Sequence, residues 1–220
     1  MQNNILTDKK EIEISVKNYQ GLADSSPVGT FVFSILCFAF WAADLNLLGA
    51  GAQLAIGLLQ FGVFITYMIV GTSLIQKGNG LGGNTYLLFG TCFGAIGGFF
   101  NTFGPLFAKW GIPFDYSLFG LSLIMAGSYL FLVLPGIKYA PKVDFLVFFF
   151  GGVGVLGSGL TIMGFLPASF NIVNGWALFL DGVVGFYSVI ATVLSFVGVT
   201  IPCGKPFFKQ KEIMASDVNL

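Results

Sequence analysis

Asp181 is the acidic side chain that lies well inside a long apolar stretch of this sequence, Gly175–Ile201. A carboxylate at the centre of a membrane-spanning helix costs about 2.5–3.5 kcal/mol on insertion scales. Such a group must face water, meet a partner or carry a proton, which leaves two readings. Asp181 is either a vestibule carboxylate near the interface, with Lys109 the nearby cation, or a proton-linked group. The other polar side chains of the apolar stretches are neutral. Thr30, Ser34 and Cys37 share one helical face; Gln53, Gln60 and Tyr67 recur every seven residues on another. Asn84 opens a third stretch, and Asn101 and Thr102 lie near its far end. Hydroxyls and amides in such places either staple helices together or replace water around a permeating solute. In the second case Thr30, Ser34, Gln60 and Asn84 are the candidate path residues.

The residue types that are missing narrow the chemistry further. The chain has 220 residues, ten lysines, ten acidic residues and no His. It also has no Arg. Without His there is no imidazole base and no His-metal site; without Arg there is no guanidinium fork for phosphate. A net charge of zero leaves no footprint for nucleic acid. Charged residues make up 9% of the chain, against about 25% in soluble domains, so its solvent is the lipid bilayer. Cys37 and Cys92 fall in apolar stretches and Cys203 beyond them, with no CxxC, so neither a metal nor a disulfide is expected. Gly78, Gly80 and Gly83 match GxGxxG, but the match follows a helix and not a strand. Phe148-Phe149-Phe150 reads as a lipid or packing surface. Nothing calls for a cofactor, and the chain reads as a non-enzyme.

The elements that must hold these groups are all-α. A spanning helix needs about 20 mostly apolar residues, and six runs qualify: Val28–Leu48, Ala50–Ile75, Leu81–Ala108, Tyr116–Ile137, Phe145–Ala168 and Gly175–Ile201. The turns between them include Lys77-Gly78-Asn79-Gly80, Lys109 to Pro113, Pro141-Lys142, and Pro167 to Gly175. The expected organisation is a polar tail over 1–27, a six-helix domain over 28–204 and a second tail over 205–220. Lysine positions set the orientation. With a cytoplasmic N-terminus, Lys9, Lys10, Lys17, Lys77, Lys138, Lys142, Lys205, Lys209 and Lys211 share the inner side, and Lys109 alone is outside. That bias is the positive-inside signature of an even number of spans with both termini cytoplasmic. The chain is therefore expected to be a multi-pass protein of the cell membrane. The alternating Glu11–Val16 stretch is read as part of a solvated tail.

Gly90, Gly94 and Gly98 make two consecutive GxxxG steps, and Gly151, Gly152, Gly154, Gly157 and Gly159 crowd the fifth run. These positions permit close helix packing, within a protomer or between protomers; the alternative is that they widen a permeation path.

Ser26-Pro27-Val28-Gly29-Thr30-Phe31 opens the first run, and Lys77-Gly78-Asn79 follows the second. Gly175-Trp176 opens the sixth, which passes Gly182 and Tyr187 towards Thr200-Ile201-Pro202-Cys203-Gly204. In this order, over residues 24–206, the chain resembles the acetate uptake transporter family. That resemblance implies a six-helix protomer, assembled as a homo-oligomer and usually a hexamer, with a pore in each protomer. It implies transport of acetate, and of succinate or other small monocarboxylates, by an anion channel or a proton-coupled symporter. By position the family's constriction maps to Phe33, Phe89 and Gly151. Phe89 stands where the family has Tyr and Gly151 where it has Leu, which removes a hydroxyl and opens the ring unless a neighbour fills it. The family's Asn-Pro-Ala-Pro signature reads Asp24-Ser25-Ser26-Pro27 here, placing an acid at the mouth. Two other readings stand beside this one. A neutral small-solute channel would share the six spans, although the paired Asn-Pro-Ala half-helices and filter Arg are absent. A non-transporting assembly or signalling protein would use its glycine faces for packing alone.

Overall fold

Pro27 lies in the first turn of the first helix, where its missing N–H leaves no bond unmade, and α1 runs Ser26–Asp44. The computed structural model describes residues 24–208; the two tails, including Glu11–Val16, lie outside the described residues. Helix α2 is Ala52–Gln76. It ends in a turn through Gly78 at φ 81°, a left-handed conformation that favours glycine. Asn79 then caps α3, its side chain accepting from the Gly82 N–H at 2.9 Å.

Helix α3, Gly80–Lys109, is the longest span at 30 residues. It is α-helical over Gly80–Phe89 and Gly97–Lys109 and forms a π-helix over Gly90–Ile96. Helix α4 is Ser117–Ile137, its last turn tightened to a 3-10 helix at Leu134–Ile137. Helix α5 is Lys142–Ile162. After a 3-10 turn at Ala168–Phe170 comes α6, Asn171–Ser195.

The fifth and sixth helices sit earlier in the chain than hydropathy alone predicts. Helix α5 starts right after Pro141 and ends at Ile162 rather than Ala168, because Gly164 turns the chain at φ 76°. Helix α6 begins at Asn171, so Gly175 is helical, and it stops at Ser195, three residues before Gly198 at φ 82°. The segment Thr200–Gly204 is therefore not helical. It folds back on α5: the Val143 N–H donates to the Cys203 carbonyl at 3.2 Å, and Tyr187 donates to the Pro202 carbonyl at 2.7 Å.

Each helix packs on its sequence neighbours and α6 closes against α1, giving a ring of six. Six helices are long and apolar enough to cross a membrane, and side chains such as Ile65, Ile69, Met125 and Leu132 point outward, more than 60% exposed. Apolar groups on the perimeter and polar ones inside suit lipid as solvent. The chain is an integral, multi-pass membrane protein. The described lysines keep the predicted asymmetry: Lys77, Lys138, Lys142 and Lys205 lie at the end of the bundle holding residue 24, and Lys109 at the other.

The two GxxxG steps of α3 pack within the protomer. A Cβ at Gly90 would meet Met68 and Tyr67, one at Gly94 would lie 2.6 Å from the Phe64 backbone, and one at Gly98 would meet the Phe61 ring. All three contacts are to α2.

Candidate functional site

The ring of helices encloses two cavities, one at each end of the bundle. The inner one, about 460 Å³, is lined by the helix halves at the end of the bundle holding residue 24, among them Thr30, Phe33, Tyr67, Tyr86, Phe89 and Leu130. The outer one, about 620 Å³, is lined by the opposite halves, including Phe40, Gln53, Phe93, Asn101 and Ser158. Every helix contributes to both cavities, and the two linings share no residue.

Aromatic rings run from one lining to the other. Phe33 and Phe89 face the inner cavity, edge to face with ring centroids 6.4 Å apart. Phe89 stacks on Phe93, centroids 5.3 Å apart and planes 9° from parallel. Phe93 in turn meets Phe40 at 6.0 Å, and this pair faces the outer cavity. Four rings from α1 and α3 thus form an unbroken chain of contacts, an aromatic septum on that side of the bundle, from one lining to the other. Phe33 and Phe89, expected from the family resemblance to share a constriction with Gly151, are in contact with each other in the structure. Phe40 and Phe93 escaped the sequence reading, yet a signal existed: Phe40 lies seven residues after Phe33, and Phe93 four after Phe89, both same-face spacings on a helix.

Gly151 is buried and lines neither cavity. A Cβ there would lie 2.7 Å from Asp181 Oδ2 and 3.2 Å from Leu130 Cδ1. The room left by the missing side chain is thus occupied by a carboxylate from α6 and a leucine from α4, and not by a Phe. Asp181 itself is fully buried, ten residues into α6 and about 15 Å from its start at 1.5 Å per residue. That depth corrects the vestibule placement, which assumed a helix beginning at Gly175, and Asp181 lines neither cavity. Cys37 Sγ donates to Oδ2 at 3.7 Å, and Oδ1 has no partner among the described residues.

The four candidate path residues separate. Thr30 lines the inner cavity; its hydroxyl is 2.7 Å from the Tyr86 hydroxyl, and both reach the Ser26 carbonyl, at 3.1 Å each. Ser34 is buried, donates to the Thr30 carbonyl at 3.0 Å and packs on Gly185. Gln60 is fully buried: it donates to the Phe93 carbonyl and accepts from Asn101 Nδ2, each at 2.7 Å. Asn84 is exposed and donates back to the Gly80 carbonyl at 2.7 Å. Only Thr30 of the four faces a cavity. Tyr86, one turn before Phe89 on α3, places a phenol hydroxyl in the same lining.

Among the described residues, charge in the linings is entirely acidic: Asp24 and Asp144 face the inner cavity and Asp44 the outer, and no described lysine lines either. At the outer mouth Tyr116 accepts from Gln53 Nε2 at 3.2 Å. Partial burial pushes its phenol up from the ordinary value, and the Gln53 bond works against that. Next to it Asp115 accepts from the Ser117 hydroxyl at 2.7 Å and the Ser117 N–H at 2.8 Å. These bonds hold its carboxyl below the usual range. Among the described residues no group of His, Cys, Asp and Glu is arranged to hold a metal ion.

No family model matches this sequence, and no curated protein matches it by sequence. Its fold does match a solved structure, that of the bacterial acetate channel SatP, with a TM-score of 0.67 at 21% identity, over 82% of this chain and 97% of that one. At this identity the likeness establishes a shared six-helix fold.

Proposed function

We propose that this chain carries small monocarboxylic acids of acetate size across the membrane, through the centre of each protomer. The observation that carries the reading is the pair of cavities facing each other across the Phe33–Phe89–Phe93–Phe40 septum. Two opposed vestibules with one thin apolar barrier are the geometry of a conduit, whereas helices that serve only assembly have no need of either. The fold shared with an acetate channel supports the solute class.

The linings favour an acid that travels with its proton. Conduction needs sites that bind weakly enough to release, and the hydroxyls of Thr30 and Tyr86 are neutral groups of that kind, next to apolar Phe33 and Phe89. A carboxyl group can exchange bonds with the hydroxyls while its short alkyl end meets the rings. With Asp24, Asp144 and Asp44 in the linings and no lysine, a bare anion gains no counter-charge, and a dianion is repelled most. Asp181, buried between Cys37 and Gly151 with one oxygen that has no partner among the described residues, is the group we assign to proton-linked transport. The assembly proposed is a homo-oligomer, a hexamer in keeping with the family resemblance, with one path per protomer. Competition against labelled acetate uptake into proteoliposomes tests the solute class. Formate and propionate should inhibit strongly and succinate weakly; equal inhibition by propionate and succinate would contradict the reading.

A further inference from the structure

A chain of side-chain bonds runs from the outer cavity to the backbone of the septum. Gln53 Nε2 donates to Asn101 Oδ1 at 3.3 Å, Asn101 Nδ2 donates to Gln60 Oε1 at 2.7 Å, and Gln60 Nε2 donates to the Phe93 carbonyl at 2.7 Å. Gln53 and Asn101 line the outer cavity, and Phe93 is a septum ring. The last bond lands within the π-helix Gly90–Ile96, where the regular backbone pattern is interrupted. Gly97 makes the arrangement possible: a Cβ there would occupy the position of Gln60 Nε2. A carboxamide with no exposure and all its bonds committed to one neighbouring helix is costly to build and costly to break.

We infer that Gln60 is a positioning residue: it fixes the π-turn of α3, and with it the Phe93 ring, and links that ring to the outer cavity through Asn101. Bonds made by a solute to Asn101 compete with the Asn101–Gln60 bond, so occupancy of the outer cavity loosens the anchor of the septum. Gln60 touches neither cavity and acts only through its neighbours. The inference rests on the transport reading for its coupling to solute, but the anchoring has its own readout.

The test compares the full chain with Gln60→Met, which keeps length and loses both polar bonds, Gln60→Glu, whose acid form can donate one bond and accept the other, and Asn101→Ala. Each is purified, its thermal unfolding recorded, and two quantities measured: the butyrate-to-acetate flux ratio in proteoliposomes, and hydrogen exchange over residues 90–97. Gln60→Met should raise the flux ratio by about fivefold or more and speed exchange over 90–97. Gln60→Glu should recover most of both, and Asn101→Ala should give an intermediate effect. A folded Gln60→Met chain with unchanged ratio and unchanged exchange overturns the proposal. If Gln60→Met does not fold, Asn101→Ala decides by the same two readings. If the unaltered chain carries no acid at all, the transport reading fails and exchange over 90–97 alone judges the anchor: accelerated in Gln60→Met it stands, unchanged it falls.

Discussion

Phe89 and Phe93 stack face to face, ring centroids 5.3 Å apart and planes 9° from parallel, one ring in the lining of the inner cavity and the other in that of the outer. Both are at least 96% buried. This one contact joins the lining of one cavity to that of the other, and under the proposed transport reading it is the barrier a solute passes.

Shortening Phe89 should therefore lower that barrier and relax its size limit. Removing a buried Phe side chain costs about 3–5 kcal/mol of stability, so Phe89→Leu is measured beside Phe89→Ala. Both should raise butyrate flux relative to acetate, on the order of tenfold for Ala, which corresponds to about 1.4 kcal/mol in the barrier. Unaltered selectivity in folded protein would remove Phe89 from the barrier.

Asp181→Asn keeps the shape of the side chain and removes its titration. If Asp181 carries the transported proton, flux in the variant should lose most of its dependence on pH between acid and neutral conditions. Cys37 on α1 donates to Asp181 and Tyr67 on α2 lies within its electrostatic reach, while Asp44 and Asp144 belong to the linings of the two separate cavities. A pH profile identical to that of the unaltered chain assigns the proton elsewhere.

Gly151 and Asp181 should behave as one unit. Gly151→Ala places a methyl group 2.7 Å from Asp181 Oδ2, closer than packed atoms approach. Alone it should lower thermal stability, by roughly 1–3 kcal/mol as overpacked sites do. In an Asp181→Ala background the same change should cost far less, a coupling that a double-mutant cycle reads directly. Simple additivity would mean that the two positions do not share this space.

The start of α4 should loosen in acid. The Asp115 carboxyl is held below its ordinary value of 3.8 by the Ser117 hydroxyl and N–H. Stability from this turn is thus fully present above that value and disappears as pH falls through the lowered one. Protection of the Ser117 amide and its neighbours, the exchange rate taken against the intrinsic rate at each pH, should fall at acid pH, and Asp115→Asn should abolish that acid-dependent fall while leaving protection elsewhere unchanged.

Much of this arrangement is legible in the sequence because lipid imposes long uniform runs. Helix count, side of the lysines and the pairing of Phe33 with Phe89 all follow from spacing and from the family resemblance. The ends of α5 and α6 were harder to read, since Gly164 and Gly198 stop the helices by backbone conformation while hydropathy continues past them. The polar residues divided for a different reason. Thr30, Ser34, Gln60 and Asn84 have the same polar character in the sequence, yet only the packing around each decides its role. Gln60 is drawn to the Phe93 carbonyl through the gap at Gly97, and Asn84 turns back on its own helix. The π-helix at Gly90–Ile96 had no sequence signal beyond its glycines.

The central claim is that a small carboxylic acid crosses the Phe89–Phe93 barrier together with a proton. Its most direct test is labelled acetate uptake into proteoliposomes under an imposed pH gradient, with protein-free vesicles subtracted because the neutral acid also crosses lipid. Protein-dependent uptake should rise when the outside is made acid, persist at zero membrane potential, and acidify the lumen as acetate enters. Uptake driven by membrane potential alone, with no change in lumenal pH, or no protein-dependent uptake at all, would contradict the account.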